Sequence, residues 1–175
     1  MREEKVVLVD EQDQQIGLMN KQEAHIKGVL HRAFSVFVFN SNNELLLQQR
    51  AHEKYHSAGL WTNTCCSHPR EGESTINAAN RRLHEEMGMK CNLEKSFDFI
   101  YHAKMPNDLI EHEFDHVFFG FTDSYPQINK KEVSSYKYMH LNDLKVDISE
   151  NPDIYTEWFK ICFNEVLVKI KQEKQ

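Results

Sequence analysis

The strongest constraint on this chain is a pattern of fixed length between residues 67 and 89. The stretch SHPREGESTINAANRRLHEEMGM places Ser67, Glu73, Arg81, Arg82, Leu83, Glu85, Glu86, Gly88 and Met89 at set intervals. Physics alone gives most of it a helix. Ser74 is a good N-cap, Gly88 supplies a left-handed stop, and Arg81–Glu85 and Arg82–Glu86 are i,i+4 ion pairs. Such a helix would run from Ser74 to about Met87. Read by itself, it is a solvated, salt-bridged surface element. What needs a further explanation is the crowding of carboxylates and guanidinium groups onto so few turns.

The remaining chain predicts a mixed sheet around that helix. VVLVD (6–10) reads as a strand followed by a turn near Gly17, and NKQEAHI (20–26) as a short helix capped by Asn20. HRAFSVFVFN (31–40) and LLLQQ (45–49) read as strands joined across SNNE into a hairpin. A polar loop at 51–60 leads into WTNTCCSH (61–68), a short strand or strand end. Further strands are predicted at 96–103, 110–121 and 132–140, a helix near 141–145, and a C-terminal helix from about 153 to 172. The close spacing of the strands at 96–121 favours antiparallel pairing. The expected class is α/β (α+β), a mixed sheet between helices, in one domain over residues 1–175.

Charge and cysteine usage exclude several kinds of protein. A net charge of −6 and a pI near 5.9 argue against nucleic acid or an anionic membrane as partner. No apolar run reaches the ~20 residues of a membrane span, and MREEKVVLVD has no run suited to a signal peptide, so a cytoplasmic location is expected. Four cysteines without a CxxC pair are neither a disulfide framework nor a zinc knuckle. No long unsatisfied apolar helix face stands out, the pattern of a monomer or weak homodimer.

Candidate chemistry gathers elsewhere. Cys66 and His68, one residue apart, point to the same side of an extended chain, as do Glu111 and Glu113, with His112 turned the other way. His25 and His31 flank a helix–strand junction, and Tyr101 lies on a strand. Singly, each has an ordinary reading: a buried inert cysteine, surface histidines, a charged strand edge. Together, three histidines and two glutamates could form a nitrogen/oxygen site for a five- or six-coordinate divalent ion.

The 67–89 stretch closely resembles the Nudix box, G-x5-E-x7-R-E-U-x-E-E-x-G-U, with two departures: Ser67 for the opening glycine and Arg82 for the first glutamate of R-E-U-x-E-E. Combined with WTN-x-x-C-x-H-P and the later E-x-E, it resembles type 1 isopentenyl-diphosphate isomerase from Lys21 through Trp158. The resemblance implies a Nudix-type α/β/α sandwich that interconverts isopentenyl and dimethylallyl diphosphate, a small isoprenoid diphosphate substrate. It implies a metal cage of His25, His31, His68, Glu111 and Glu113 holding Mn²⁺, Zn²⁺ or Mg²⁺, and Glu86 beside a second Mg²⁺ bound with the diphosphate. It further implies Cys66, Glu113 and Tyr101 as catalytic groups, with Glu113 giving a proton and a Cys66 thiolate taking one. Lys21, Arg50, Lys54 and Arg82 would clamp the diphosphate, and Trp158 would face the hydrocarbon. The rival reading is a Nudix pyrophosphohydrolase, which would need a carboxylate where Arg82 stands.

Overall fold

The computed structural model describes residues 4–54 and 56–173. Residues 1–3, where the predicted domain and the segment read for a signal peptide begin, lie outside them, as do 55 and 174–175. The described residues form nine strands and four helices. The strands are β1 (Lys5–Val9), β2 (Gln15–Asn20), β3 (His31–Phe39), β4 (Glu44–Arg50), β5 (Trp61–Thr62), β6 (Cys65–Ser67), β7 (Leu93–Lys104), β8 (Ile110–Phe121) and β9 (Val133–His140). The helices are α1 (Lys21–Lys27), α2 (Thr75–Met87), α3 (Leu141–Glu150) and α4 (Glu157–Glu173).

Strand β3 is the spine. It pairs in parallel with β8 along its whole length, from His31↔Glu113 to Phe39↔Phe121, and antiparallel with β6 on its other side. β7 and β8 form the expected antiparallel hairpin, so the sheet is mixed. Because side chains alternate along a strand, β3 serves two cores. Phe34, Val36 and Val38 meet Ala78, Ala79, Leu83 and Met87 of α2. Phe37 and Phe39 meet Trp158, Phe159, Phe163 and Val166 of α4. Each fully buried side chain of this size contributes ~1.5–3 kcal/mol. The predicted sandwich is present, with α2 and α4 on opposite faces.

The ends of α2 follow the sequence signals. Ser74 accepts the backbone N–H of Asn77 at 3.3 Å, and Gly88 sits at φ 63° with its N–H on His84 O. A Cβ on Gly88 would lie 2.5 Å from Gln127 O, so the segment after α2 packs against a position that only glycine leaves open.

Three expectations are corrected. The turn predicted near Gly17 falls earlier, because Asp10 accepts the N–H groups of Gln12 and Gln14 and Asp13 takes φ 60°; Gly17 lies inside β2. The 31–40/45–49 hairpin is closed only at its tip, at Phe39↔Leu45. Beyond that pair the strands part, β3 taking β6 and β8 as neighbours and β4 taking β5 and β9. The C-terminal helix starts at Glu157 rather than 153, after a 3₁₀ turn at Pro152–Ile154.

Candidate active site

Sheet register assembles the centre of the site. Tyr101 of β7, Glu113 of β8 and His31 of β3 are consecutive cross-strand partners, so their side chains line up on one face. Cys66 of β6 stands opposite Ser35 on that same face, while Cys65 turns into the core under α2. The predicted shared side for Cys66 and His68 holds. Both line a cavity of about 550 Å³ together with Tyr101, Glu111, Glu113 and Trp158.

Four residues converge closely. His25, His31, His68 and Glu113 each place one donor atom within 4.8 Å of all the others. Glu113 Oε1 lies 2.8 Å from His68 Nε2 and 3.5 Å from His31 Nε2, and its Oε2 accepts the Tyr101 hydroxyl at 2.6 Å. His25 Nδ1 is 2.6 Å from Lys21 O and His31 Nδ1 is 2.8 Å from Val29 O. Backbone carbonyls thus fix both rings with Nε2 pointing inward, as in metal-ligating histidines. His31 Nε2 is buried without a hydrogen-bond partner, and three imidazoles with a carboxylate are a donor set that suits a divalent ion.

Glu111, expected as the fifth cage residue, is adjacent to this set rather than within it. It forms a second group with His25 and His56. Its Oε2 is 3.2 Å from His25 Nε2 and its Oε1 is 3.2 Å from His56 Nε2.

Burial dominates the electrostatics. It raises Glu111 to about 7, with the Glu113 charge adding to it and His25 opposing. For His25, burial is outweighed by Glu111, and the net shift is upward. Burial lowers His68 to about 4 and His56 to about 3, so both imidazoles stay neutral, and His68 is in the form a metal ligand needs. Burial also acts on Glu113, but the imidazoles of His31 and His68 beside its Oε1 prevail and hold it well below the usual carboxylate range. Tyr101 is pushed well up and stays a phenol. The thiolate expected for Cys66 is disfavoured: burial pushes the thiol far up, and the nearby Arg50 only partly opposes it. In these surroundings the resting pair is a Cys66 thiol and a Glu113 carboxylate.

The expected clamp residues Lys21, Arg50, Lys54 and Arg82 all line the cavity. Three of them face carboxylates: Lys21 pairs with Glu4 at 3.1 Å, Lys54 with Glu132, and Arg82 with Glu132 at 3.2 Å. Arg50 lies over the Trp158 ring, 5.4 Å from its centroid. Glu86 also lines the cavity but stands apart from both His/Glu groups. Its Oε1 accepts from Arg82 at 2.5 Å and its Oε2 from Gln48 at 2.8 Å. With both oxygens engaged and Glu85 turned to Arg81 and Arg82, the box carboxylates do not gather around a common point.

Sequence reasoning missed His56, Asp115 and Asn63. Asp115 is buried and accepts the Ser35 hydroxyl at 2.7 Å. Asn63 donates to Val36 O and Cys65 O and receives the Trp158 indole N–H at 3.3 Å, joining the Cys66 strand to α4. Asp115 was in principle legible, because it continues the Glu111–Glu113 alternation on β8. His56 sits in a loop with no periodicity to read.

Comparison with known proteins identifies the fold and the family. Residues 29–159 match the family model described as NUDIX domain, which defines the class of fold and box. Among solved structures, a Deinococcus radiodurans protein, DR0079, superposes with a TM-score of 0.69 at 19% identity, over 85% of this chain and 90% of that one. A MutT protein from Methanosarcina mazei gives 0.66 at 16%, over 83% and 96%. These distant likenesses concern the fold alone. Proteins named isopentenyl-diphosphate Delta-isomerase are far more similar. That of Pectobacterium atrosepticum is 56% identical over 90% of this chain and 88% of its own length. One from Photorhabdus laumondii is 57% identical over 93% and 92%. Another, from Aromatoleum aromaticum, is 49% identical over 98% and 97%. The chain belongs to the isopentenyl-diphosphate Delta-isomerase family of the NUDIX fold.

Proposed function

We propose that this protein interconverts isopentenyl diphosphate and dimethylallyl diphosphate by moving a proton onto one end of an allylic unit and off the other. The observation that carries the reading is one cavity lined by both a thiol, Cys66, and a buried carboxylate, Glu113, held by Tyr101. An unactivated alkene is a weak base, so protonation passes through a tertiary carbocation and needs both partners positioned out of water.

The thiol of Cys66 holds a proton to give, and the Tyr101-bonded carboxylate of Glu113 can take one. In the reverse direction they exchange roles. One turnover leaves thiolate and carboxylic acid, and exchange with solvent resets the pair. Trp158 is the aromatic wall that can stabilise the transient cation by ~2 kcal/mol in a desolvated pocket. Lys21, Arg50, Lys54 and Arg82 are the cations for the diphosphate, whose binding energy orients the small hydrocarbon.

His25, His31, His68 and Glu113, with Glu111 beside them, would hold a divalent ion, Mn²⁺, Zn²⁺ or Mg²⁺. That ion would supply positive charge beside the reacting carboxylate. Glu86, which lines the same cavity, would stand beside a further Mg²⁺ brought in with the diphosphate. The unit acts as one domain, a monomer or weak homodimer, in the cytoplasm. The pyrophosphohydrolase alternative is disfavoured by Arg82, a cation where the box of such an enzyme carries a further carboxylate.

Incubation with isopentenyl diphosphate and Mg²⁺ in deuterated water tests the reading. Deuterium should enter dimethylallyl diphosphate with no release of phosphate. Release of phosphate without isomerisation would overturn it.

A further inference from the structure

The two His/Glu groups share His25 but do not merge into one. Glu111 and His56 both stand outside the group of His25, His31, His68 and Glu113; Glu111 meets that group through His25, and His56 stands behind Glu111. The two oxygens of Glu111 have different surroundings. Oε2 is buried, has no hydrogen-bond partner and faces His25. Oε1 faces the ring of His56 at 3.2 Å. The first is the oxygen free to meet a metal, and the second is the one held from behind.

His56 is built to hold it. Its ring is buried against Trp158, edge to face at 6.1 Å, with Nδ1 3.3 Å from Ser57 Oγ. Its carbonyl accepts Arg50 Nη2 at 3.2 Å, and the following residue, Ser57, takes the sparsely populated φ of 51°. A loop bent in this way, and tied to Arg50, presents one imidazole edge to one carboxylate oxygen. Outer partners of that kind set the orientation of a ligating group, and losing one weakens metal binding 10–100-fold.

We propose that His56 is a positioning residue of the metal centre: it orients Glu111 toward the ion from the 51–60 loop and links that carboxylate to Arg50 and Trp158. The proposal rests on reading the His/Glu cluster as the metal centre, not on the isomerisation itself.

The test measures Mn²⁺ affinity of the full chain by chelator competition, and the visible spectrum of the Co²⁺-loaded protein. His56→Phe keeps ring packing against Trp158 but removes the donor, and His56→Ala removes both. Each is expected to bind Mn²⁺ 10–100-fold more weakly than wild type, with His56→Gln recovering most of the loss. The Co²⁺ spectrum of His56→Phe should keep the wild-type coordination number, whereas His68→Ala should change it. Unaltered Mn²⁺ affinity in His56→Phe would overturn the proposal. So would a His56→Phe spectrum that changes as His68→Ala does, because His56 would then be a direct ligand. A wild-type protein that binds Mn²⁺ but fails to isomerise would defeat the functional reading and leave this one standing.

Discussion

Tyr101 gives its hydroxyl to a carboxylate that already faces two imidazoles, and little else in the site is so closely defined. Tyr101→Phe leaves the ring and deletes that one hydrogen bond, so Glu113 loses a donor in a buried place. We expect kcat to fall by about 10²-fold, within the range of positioned proton-transfer groups. The lost buried partner should also cost ~1–3 kcal/mol of stability, read by denaturant titration. Cys66→Ala and Glu113→Gln should each reduce turnover by 10³-fold or more while the circular dichroism spectrum stays native. They should differ in one respect: Cys66→Ala keeps the Mn²⁺ affinity and Glu113→Gln loses it. Near-normal turnover in Cys66→Ala would remove the thiol from the mechanism. Much of this was legible, because alternation along a strand is arithmetic: 66 with 68, 111 with 113, and 112 opposed. What was not legible was protonation. The Cys66 thiolate expected from sequence becomes a thiol because burial, which no local pattern encodes, outweighs Arg50.

Among the elements, α2 is the one whose limits the sequence wrote most plainly, in Ser74 and Gly88. Ser74→Ala should cost about 1 kcal/mol. Gly88→Ala should cost about 2 kcal/mol or more, because it adds a left-handed strain to a 2.5 Å approach to Gln127 O. For a chain of this size these correspond to Tm losses of ~2–4 °C and ~4–8 °C, measurable by calorimetry. If Gly88→Ala melted with the wild type, that packing would be wrong. The strands were recognised better than their neighbours were. β3 and β4 looked like a hairpin because a short polar turn joins two apolar runs, yet their continuous apolar character suits strands with partners on both sides. The β3–β8 pairing joins residues some eighty positions apart, and only tertiary packing selects it. β2 was missed because the turn before it is made by an aspartate side chain, while a glycine inside the strand drew attention instead.

Over the whole molecule, α1, β3, β8 and the segment after β6 meet at the His/Glu cluster, so metal should stabilise the fold and chelation should lower Tm. At an ion concentration of 100 times Kd the gain is ~2.7 kcal/mol. Its pH dependence follows from the shifts. Glu111, at about 7 in the fold against an ordinary 4.5, keeps a proton that the ion must displace. Metal affinity should therefore rise with pH up to about 7 and flatten above it, and calorimetry in buffers of different ionisation heat should show proton release at pH 6. Binding without proton release at pH 6 would contradict the burial of that carboxylate. In the metal-free protein the same carboxylate loses stability as pH rises from 4.5 toward 7. His56 and His68, at about 3 and 4 against an ordinary 6.5, lose it as pH falls below 6.5. The metal-free fold is thus pressed from both sides.

Because β3 carries both cores, the order in which the chain is made has a consequence for the site. During synthesis from the N-terminus every imidazole and carboxylate of the cluster has emerged by Glu113, and all the strands that align them have emerged by Phe121. Trp158 and the rest of α4 come last. On the proposed reading a nascent chain would thus capture an ion before Trp158 closes the hydrocarbon side, so loading would belong to assembly and competence to the docking of the final helix.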